Sequence, residues 1–350
     1  MVRTRIESLG LYLPEKQVTT QELVQQLSVP MFLDLESMTG IKTRRMRAEH
    51  EDNYTLGVDA AKDCLRRSRY GASDIEVVIN STITRCRQYP NYYLEPAMSL
   101  WIKRGIGAEQ ALNFDITNAC AGMFTGVYIL DNMIKAGMVN NGMVVSGDLL
   151  TPITETAVRD IESPFDEQMA SLTVGDAGSA VIIDKSPDEV EGIDYVDLMT
   201  CAQHSDLCLG MPSLKSPGIS LYTQHNKLHH RQNMLLWPHL QDHIQKRRGV
   251  PFEEEHFDYV ILHQIGTKFS QKALSLVRKH FASSPPTSLS CVEELGNTAS
   301  TSHFVVLYRS IRNGTVRKGH RVLLVPSASG VVVGSMAVTI GDLEVEPWAP

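Results

Sequence analysis

Phe114–Gly137 reads FDITNACAGMFTGVYILDNMIKAG. A strand-like start meets a cluster of small residues, with Cys120 at the junction. A long apolar-rich segment follows and ends on Lys-Ala-Gly. The pattern recurs late in the chain. With Cys120 placed over Asn297, ACAGMFTGVYILDNMIKAGMVNNGMVVSG lies over GNTASTSHFVVLYRSIRNGTVRKGHRVLLVPS. Cys120 to Gly137 spans 17 residues, as does Asn297 to Gly314, and Gly137–Gly142 and Gly314–Gly319 span 5 each. Each copy reads as small-residue junction, apolar helix, glycine stop, glycine turn, apolar strand. A glycine just past the last helical turn suits a left-handed C-cap. Two spacings in the same order point to a duplicated unit. The chain therefore divides into two related halves, 1–186 and 187–350.

The rest of the sequence fits that reading. Strand-like runs such as IEVVINSTI, NGMVVSGDLL, DYVILHQ and HRVLLVPSAS alternate with helical patterns such as GTKFSQKALSLVRKHF. Such alternation implies an α/β architecture, with sheets covered by helices. The least patterned region, about 200–250, reads as an excursion from the core. With 350 residues, 43% of them hydrophobic, the chain has ample material for a large core. A net charge of −7 argues against a dedicated nucleic-acid binder. The richest late apolar run, GVVVGSMAVTI, is 11 residues long, against about 20 for a membrane span. A cytoplasmic protein with no membrane span and no secretory signal is expected.

Six cysteines are scattered without a C-x-x-C pair, so most read as buried small hydrophobes rather than a disulfide framework. Cys120 differs by its place. A helix N-terminus offers unpaired N–H groups and partial positive charge, which lowers a thiol's pKa and favours the nucleophilic thiolate. Ala119, Ala121 and Gly122 leave room for a substrate to approach. A nucleophilic cysteine needs a partner and something to hold an oxyanion. His263 ends the apolar strand FDYVILHQ, where α/β proteins mount catalytic groups. Asn297 is the repeat's counterpart of Cys120, although asparagine is also a favoured helix N-cap. The pairs His225/His229 and His239/His243 have helical i, i+4 spacing, but neither contains H-E-x-x-H and no third ligand is evident, so no metal is expected.

NACAGMFTGV, ILHQIG, LGNTASTS and GVVVGSMAV resemble the catalytic blocks of β-ketoacyl synthase III-type condensing enzymes of the thiolase superfamily. LGLYLPEKQVTTQEL, TGIKTRR and TVGDAGSAVII resemble the family's other blocks. The resemblance implies a five-layer αβαβα fold built from two related halves, and a homodimer. It implies a Cys–His–Asn triad, with Cys120 as acyl acceptor and His263 and Asn297 polarising the second substrate's carbonyl. It implies an oxyanion hole made by the backbone N–H groups of Cys120 and Ser329. No cofactor is implied, because the substrates ride on the phosphopantetheine of an acyl carrier protein or coenzyme A.

Two departures shape the function. Initiating synthases of this family grip the adenine of coenzyme A with a tryptophan and an arginine just before TGI; here Asp34 and Met38 stand there. Delivery by a carrier protein becomes the better expectation. Lys268 stands at a family phosphate contact, and Arg247 and Arg248, with Lys42, Arg44 and Arg45, are candidates for a carrier-facing basic patch. The second departure is Glu95, 25 residues before Cys120, in NYYLEPAMSL. YLEP resembles head-to-head acyl-condensing and α-pyrone-forming ketosynthases, in which the glutamate enters the partner's active site as a base. A malonyl thioester makes its carbanion by losing carbon dioxide, whereas a simple acyl thioester must lose an α-proton. Glu95 is read as that base, against a plain solvated glutamate ahead of Pro96. The expected function is a ketosynthase joining two acyl or β-ketoacyl chains in polyketide, pyrone or related lipid biosynthesis. The alternatives are decarboxylative initiation of fatty-acid synthesis, acyl transfer on the same fold, and a non-catalytic subunit.

Overall fold

A computed structural model of the chain describes residues 2–29, 34–228 and 230–343. Ten strands form its framework. The first five are β1 (Thr4–Tyr12), β2 (Val77–Asn80), β3 (Leu112–Asp115), β4 (Asn141–Asp148) and β5 (Ala177–Lys185). The second five are β6 (Gly192–Thr200), β7 (Tyr259–Leu262), β8 (Thr287–Ser288), β9 (Arg321–Val325) and β10 (Val332–Thr339). The main helices are α1 (Asn53–Arg66), α2 (Met98–Ile106), α3 (Gly122–Lys135), α4 (Leu236–Arg248), α5 (Thr267–Phe281) and α6 (Ser302–Arg312).

The strand orders are β3-β2-β4-β5-β1 and β8-β7-β9-β10-β6. In each set the first three strands are parallel neighbours. The last two joins are antiparallel. The same order and the same hand of pairing occur twice, as a duplicated unit requires. A single pairing, Thr4 with Ile193, links β1 to β6.

Alternation along the strands creates the layers. Val77, Ile79, Val144, Val181 and Ile183 face inward with Ile261, Val322 and Leu324 of the second half. They meet Met123, Phe124, Val127 and Leu130 of α3 and Phe304, Val306 and Leu307 of α6. The intervening residues Val78, Met143, Val145, Ala180 and Ile182 face outward onto α1 and α2. Val260, Leu262, Leu323 and Val325 face outward among Trp237, Leu240 and Ile244 of α4 and Val277 of α5. The result is the five-layer αβαβα arrangement expected. Helix α1 lies hard against its sheet because three strand residues are glycines. A Cβ at Gly10, Gly147 or Gly178 would run into the backbone oxygens of Ala60, Asn53 and Leu56.

Two expectations need correction. The glycine stops hold: Gly137 and Gly314 are both left-handed, at φ 73° and 76°. The N-terminal ends of the repeat do not align at Cys120 and Asn297. The left-handed residue that opens each junction is Ala119 (φ 44°) and Ala299 (φ 50°), which pairs Cys120 with Ser300. α6 has 11 residues against 14 in α3, so nearly one turn is lost between the junction and the glycine stop. Nor is 200–250 wholly outside the core. Its final third is α4, and Cys208–Pro212 and Ile219–Thr223 form a hairpin that packs beside Cys120.

Candidate active site

Cys120 lies in a tight turn, Ala119–Ala121, that feeds α3. The turn is held by Ala121 N–H donating to Asn118 O at 3.0 Å and by Asn118 Nδ2 donating to Thr125 Oγ1 at 2.8 Å. Left-handed φ at Ala119 is uncommon for a residue with a side chain and is the kind of local strain that gathers at functional sites. Cys120 is packed by Leu150, Ile153, Val174 and Ala299, together with Ile219 and Leu221 of the hairpin. Ala121, Ala328 and Val332 pack it from another side. Ala328 and Val332 flank the turn that carries Ser329, so that turn sits against the nucleophile.

This packing reverses one expectation. Burial is the main cause that pushes the Cys120 thiol up rather than down, with the neighbouring Asp148 carboxylate acting in the same direction. Apolar surroundings disfavour the thiolate, so the resting sulfur keeps its proton. Asp148 is itself buried and accepts from Ser300 N–H at 2.9 Å and Ser300 Oγ at 2.7 Å. It thereby ties the end of β4 to the junction of the second half.

His263 follows the C-terminal end of β7, with its N–H on Val325 O at 3.2 Å. The residue is only 4% exposed. Its Nδ1 is sealed and unpartnered, which leaves Nε2 as the nitrogen open to a substrate. Burial is the main cause that lowers its pKa to about 3. At neutral pH it is a neutral imidazole. Asn297 is fixed by backbone bonds to the first half: its N–H donates to Thr173 O at 2.9 Å and its carbonyl accepts from Gly175 N–H at 3.0 Å. Its side-chain oxygen accepts from Ala299 N–H at 2.9 Å, which fixes the orientation of the amide and leaves its Nδ2 donors unused among the described residues.

Contacts connect the three residues. Ala299, two residues past Asn297, packs against Cys120. Phe124 of α3 meets the His303 ring edge-to-face at 4.8 Å, and His303 stacks on His263 at 5.7 Å and 19°. His303 was not anticipated from sequence. Its only local signal is a titratable residue inside the apolar run SHFVVLY.

Glu95 is exposed on the loop before α2, and its neighbour Leu94 is 88% exposed. Among the described residues Glu95 has no hydrogen-bond or ion-pair partner. It does not cap α2, because Asp115 accepts from Met98 N–H and Ser99 N–H at 2.9 Å each. Lys268 is exposed at the start of α5. Asp34 is held below its usual range first by Ser37 and in small part by the charge of Lys268.

The expected basic patch is not assembled. Arg44 is fully buried, bonded to Leu172 O at 2.9 Å and Thr20 Oγ1 at 2.6 Å. Lys42 pairs with Glu293 at 2.8 Å, and Arg247 pairs with Asp197. Arg248 pairs with Glu255 at 3.3 Å. Glu255 also binds Arg321, which opens β9, whereas His263 follows the far end of the parallel neighbour β7. Arg248 therefore sits at the opposite end of the strands from the site. His229 lies outside the described residues, and no cluster of three metal-ligating side chains occurs among those described.

Two family models match the chain. The model for 3-oxoacyl-[acyl-carrier-protein (ACP)] synthase III matches residues 114–201, and the one for its C-terminal part matches 250–340. The chain belongs to the β-ketoacyl synthase III-type condensing enzymes. This condensing enzyme is 24% identical to the β-ketoacyl-[acyl-carrier-protein] synthase III of Acidiphilium cryptum, over 97% of this chain and 99% of that protein. It is 25% identical to the synthase of the same name from Deinococcus deserti, over 98% and 93%. Among solved structures, Xanthomonas campestris OleA with bound lauric acid and lauroyl-CoA superposes with a TM-score of 0.83 at 21% identity, covering 97% of this chain and 99% of that one. The cerulenin-bound form of the same protein has a TM-score of 0.83 at 22% identity, covering 97% and 98%. The shared fold is thiolase-like.

Proposed function

We propose that this enzyme joins two acyl or β-ketoacyl chains, without needing a malonyl group, in polyketide, pyrone or related lipid biosynthesis. What supports the reading is that Cys120, His263 and Asn297 stand beside the same packed junction while Glu95 of YLEP is an exposed carboxylate with no hydrogen-bond or ion-pair partner among the described residues. In the first half-reaction Cys120 Sγ attacks the carbonyl of an acyl thioester. The N–H groups of Cys120 and Ser329 hold the oxyanion. The bond to the carrier sulfur breaks, and the proton lost by Cys120 ends on that departing sulfur. The exchange conserves the proton, so it does not require a resting thiolate.

In the second half-reaction His263 Nε2–H and Asn297 Nδ2–H donate to the carbonyl of the second thioester. Glu95 of the partner subunit takes an α-proton, and the enolate attacks the acyl-cysteine carbonyl. A carbon–carbon bond forms and the bond to Cys120 breaks. The leaving sulfur recovers the proton from Glu95, and a β-ketoacyl thioester departs.

A homodimer is part of this reading. β3 ends its strand order at an open edge, and Leu112 on it is 60% exposed. An open strand edge is a pairing surface, and the reading places a second copy of this chain against it. Delivery by an acyl carrier protein agrees with the names of the relatives, and Lys268, exposed at the start of α5, is the candidate we assign to the phosphopantetheine phosphate. The solved OleA structures include variants with a cysteine, a glutamate or a histidine replaced, and a complex with lauroyl-CoA. They favour the same trio of residue types and long acyl chains here. No described helix is long and apolar enough to cross a membrane, and we place the enzyme in the cytoplasm.

Incubation with an acyl thioester should add one acyl mass to the intact protein, and Cys120→Ala should add none. Acylation of any other residue would remove the nucleophile from the scheme.

A further inference from the structure

The second half carries a buried histidine that the reaction above does not use. His303 lies in the first turn of α6 and is fully buried. Its Nε2 lies 3.0 Å from Val325 O. A carbonyl only accepts, so Nε2 carries the proton and the neutral ring has a bare Nδ1. That Nδ1 is sealed without a partner, as is Nδ1 of His263. The same Val325 carbonyl accepts the backbone N–H of His263. One oxygen therefore fixes both the His303 ring and the backbone of His263. The two rings lie nearly parallel, at 19° and 5.7 Å, and Phe124 closes the other side of His303.

We propose that His303 is a positioning residue for His263: it covers one face of the imidazole, keeps water from Nδ1 and holds the ring as a neutral donor with Nε2 aimed at the substrate carbonyl. The inference rests on the condensing role of His263 given above. It follows from geometry that a smaller or flexible side chain would not reproduce. An apolar residue would fill the space but would not bond to Val325. The electrostatics agree. Burial brings His303 down to about 4, so it adds no charge at neutral pH. A protonated His303 would disfavour protonation of His263, for which it is the second cause of lowering after burial. His303 is the titratable group whose charge bears on His263; Phe124, on its other side, has none.

The test follows the His263 ring by NMR in protein with isotope-labelled histidine, its signal assigned by its loss in His263→Asn. In the wild type it should not titrate between about pH 5.5 and 8.5, whereas an ordinary histidine titrates near 6.5. In His303→Gln a side-chain N–H remains for Val325 but the ring face is uncovered. His263 should then titrate near its ordinary value. Condensation from pre-acylated enzyme should fall by about ten- to a hundredfold, as misplacement of a reacting group does. Acylation of Cys120 should stay within about twofold, well inside that range. In His303→Phe the face stays covered, and His263 should remain silent. A wild-type His263 that titrates near 6.5 would overturn the proposal. So would a glutamine variant with a silent His263 and unchanged condensation, which would make His303 core filling. A titration that appears in the glutamine variant of an enzyme that condenses nothing would uphold the positioning and refute the function it serves.

Discussion

His263→Ala and Asn297→Ala should each accept an acyl group on Cys120 to the wild-type extent, yet condense it about 10²–10³-fold more slowly. The split follows from where the two side chains can donate. His263 Nδ1 is sealed and its Nε2 open. The Asn297 side-chain oxygen accepts from Ala299 N–H, which orients the amide and leaves its Nδ2 donors unused among the described residues. In the proposed scheme both donors serve the carbonyl on which enolate charge develops, while the first oxyanion is assigned to backbone N–H groups that neither substitution removes. The neutral state of His263 sharpens the expectation: with its pKa lowered to about 3 by burial, the wild-type rate should show no histidine titration near neutral pH. Intact mass after a single acyl donor measures the first step, and quenched single turnover with a second thioester measures the next. Full condensation in either variant would contradict the assignment.

Glu95→Gln should abolish condensation of simple acyl chains while leaving Cys120 acylation intact. Glutamine keeps the shape and the hydrogen bonding but cannot accept a proton as a carboxylate does. In the single chain Glu95 is exposed and caps nothing, since Asp115 closes α2. A role in its own subunit's fold is thus unsupported, and its removal should be nearly neutral for stability. The trans placement has a separate check. Mixing Cys120→Ala with Glu95→Gln subunits creates one heterodimer site in which both residues are intact, so exchange should restore part of the activity. Wild-type condensation of simple acyl chains by Glu95→Gln would reduce the glutamate to a surface residue and favour the decarboxylative reaction.

The repeat was legible because its signals are local. Glycine stops at Gly137 and Gly314 follow from backbone freedom, and the alternation in β2, β4 and β9 follows from two-sided burial. The start of α6 was misplaced because NTAST offers several small polar residues, any of which could open a helix. Ala299 takes the left-handed turn, and only its likeness to Ala119 hints at that. The direction of the Cys120 shift was misread for a different reason. The helix end is local, but Leu150, Ile153, Val174, Ile219 and Val332 arrive from distant segments and their burial outweighs it. The basic residues failed similarly. Arg44 faces inward by strand alternation in Thr43–Arg45, and the partners of Arg247 and Arg248, Asp197 and Glu255, become visible only once the chain is folded. The stack of His303 on His263 joins residues 40 apart, set by the packing of α6 against β7 and β9.

The most direct test of the central claim is mass spectrometry of the products that the wild-type enzyme makes from acyl thioesters without a free carboxylate, beside a parallel reaction supplied with a malonyl thioester. The account predicts a β-keto product containing both acyl chains in the first reaction, with no carbon dioxide released. Acylated enzyme and hydrolysed acid alone in the first reaction, with condensation only when malonyl thioester is present, would contradict it.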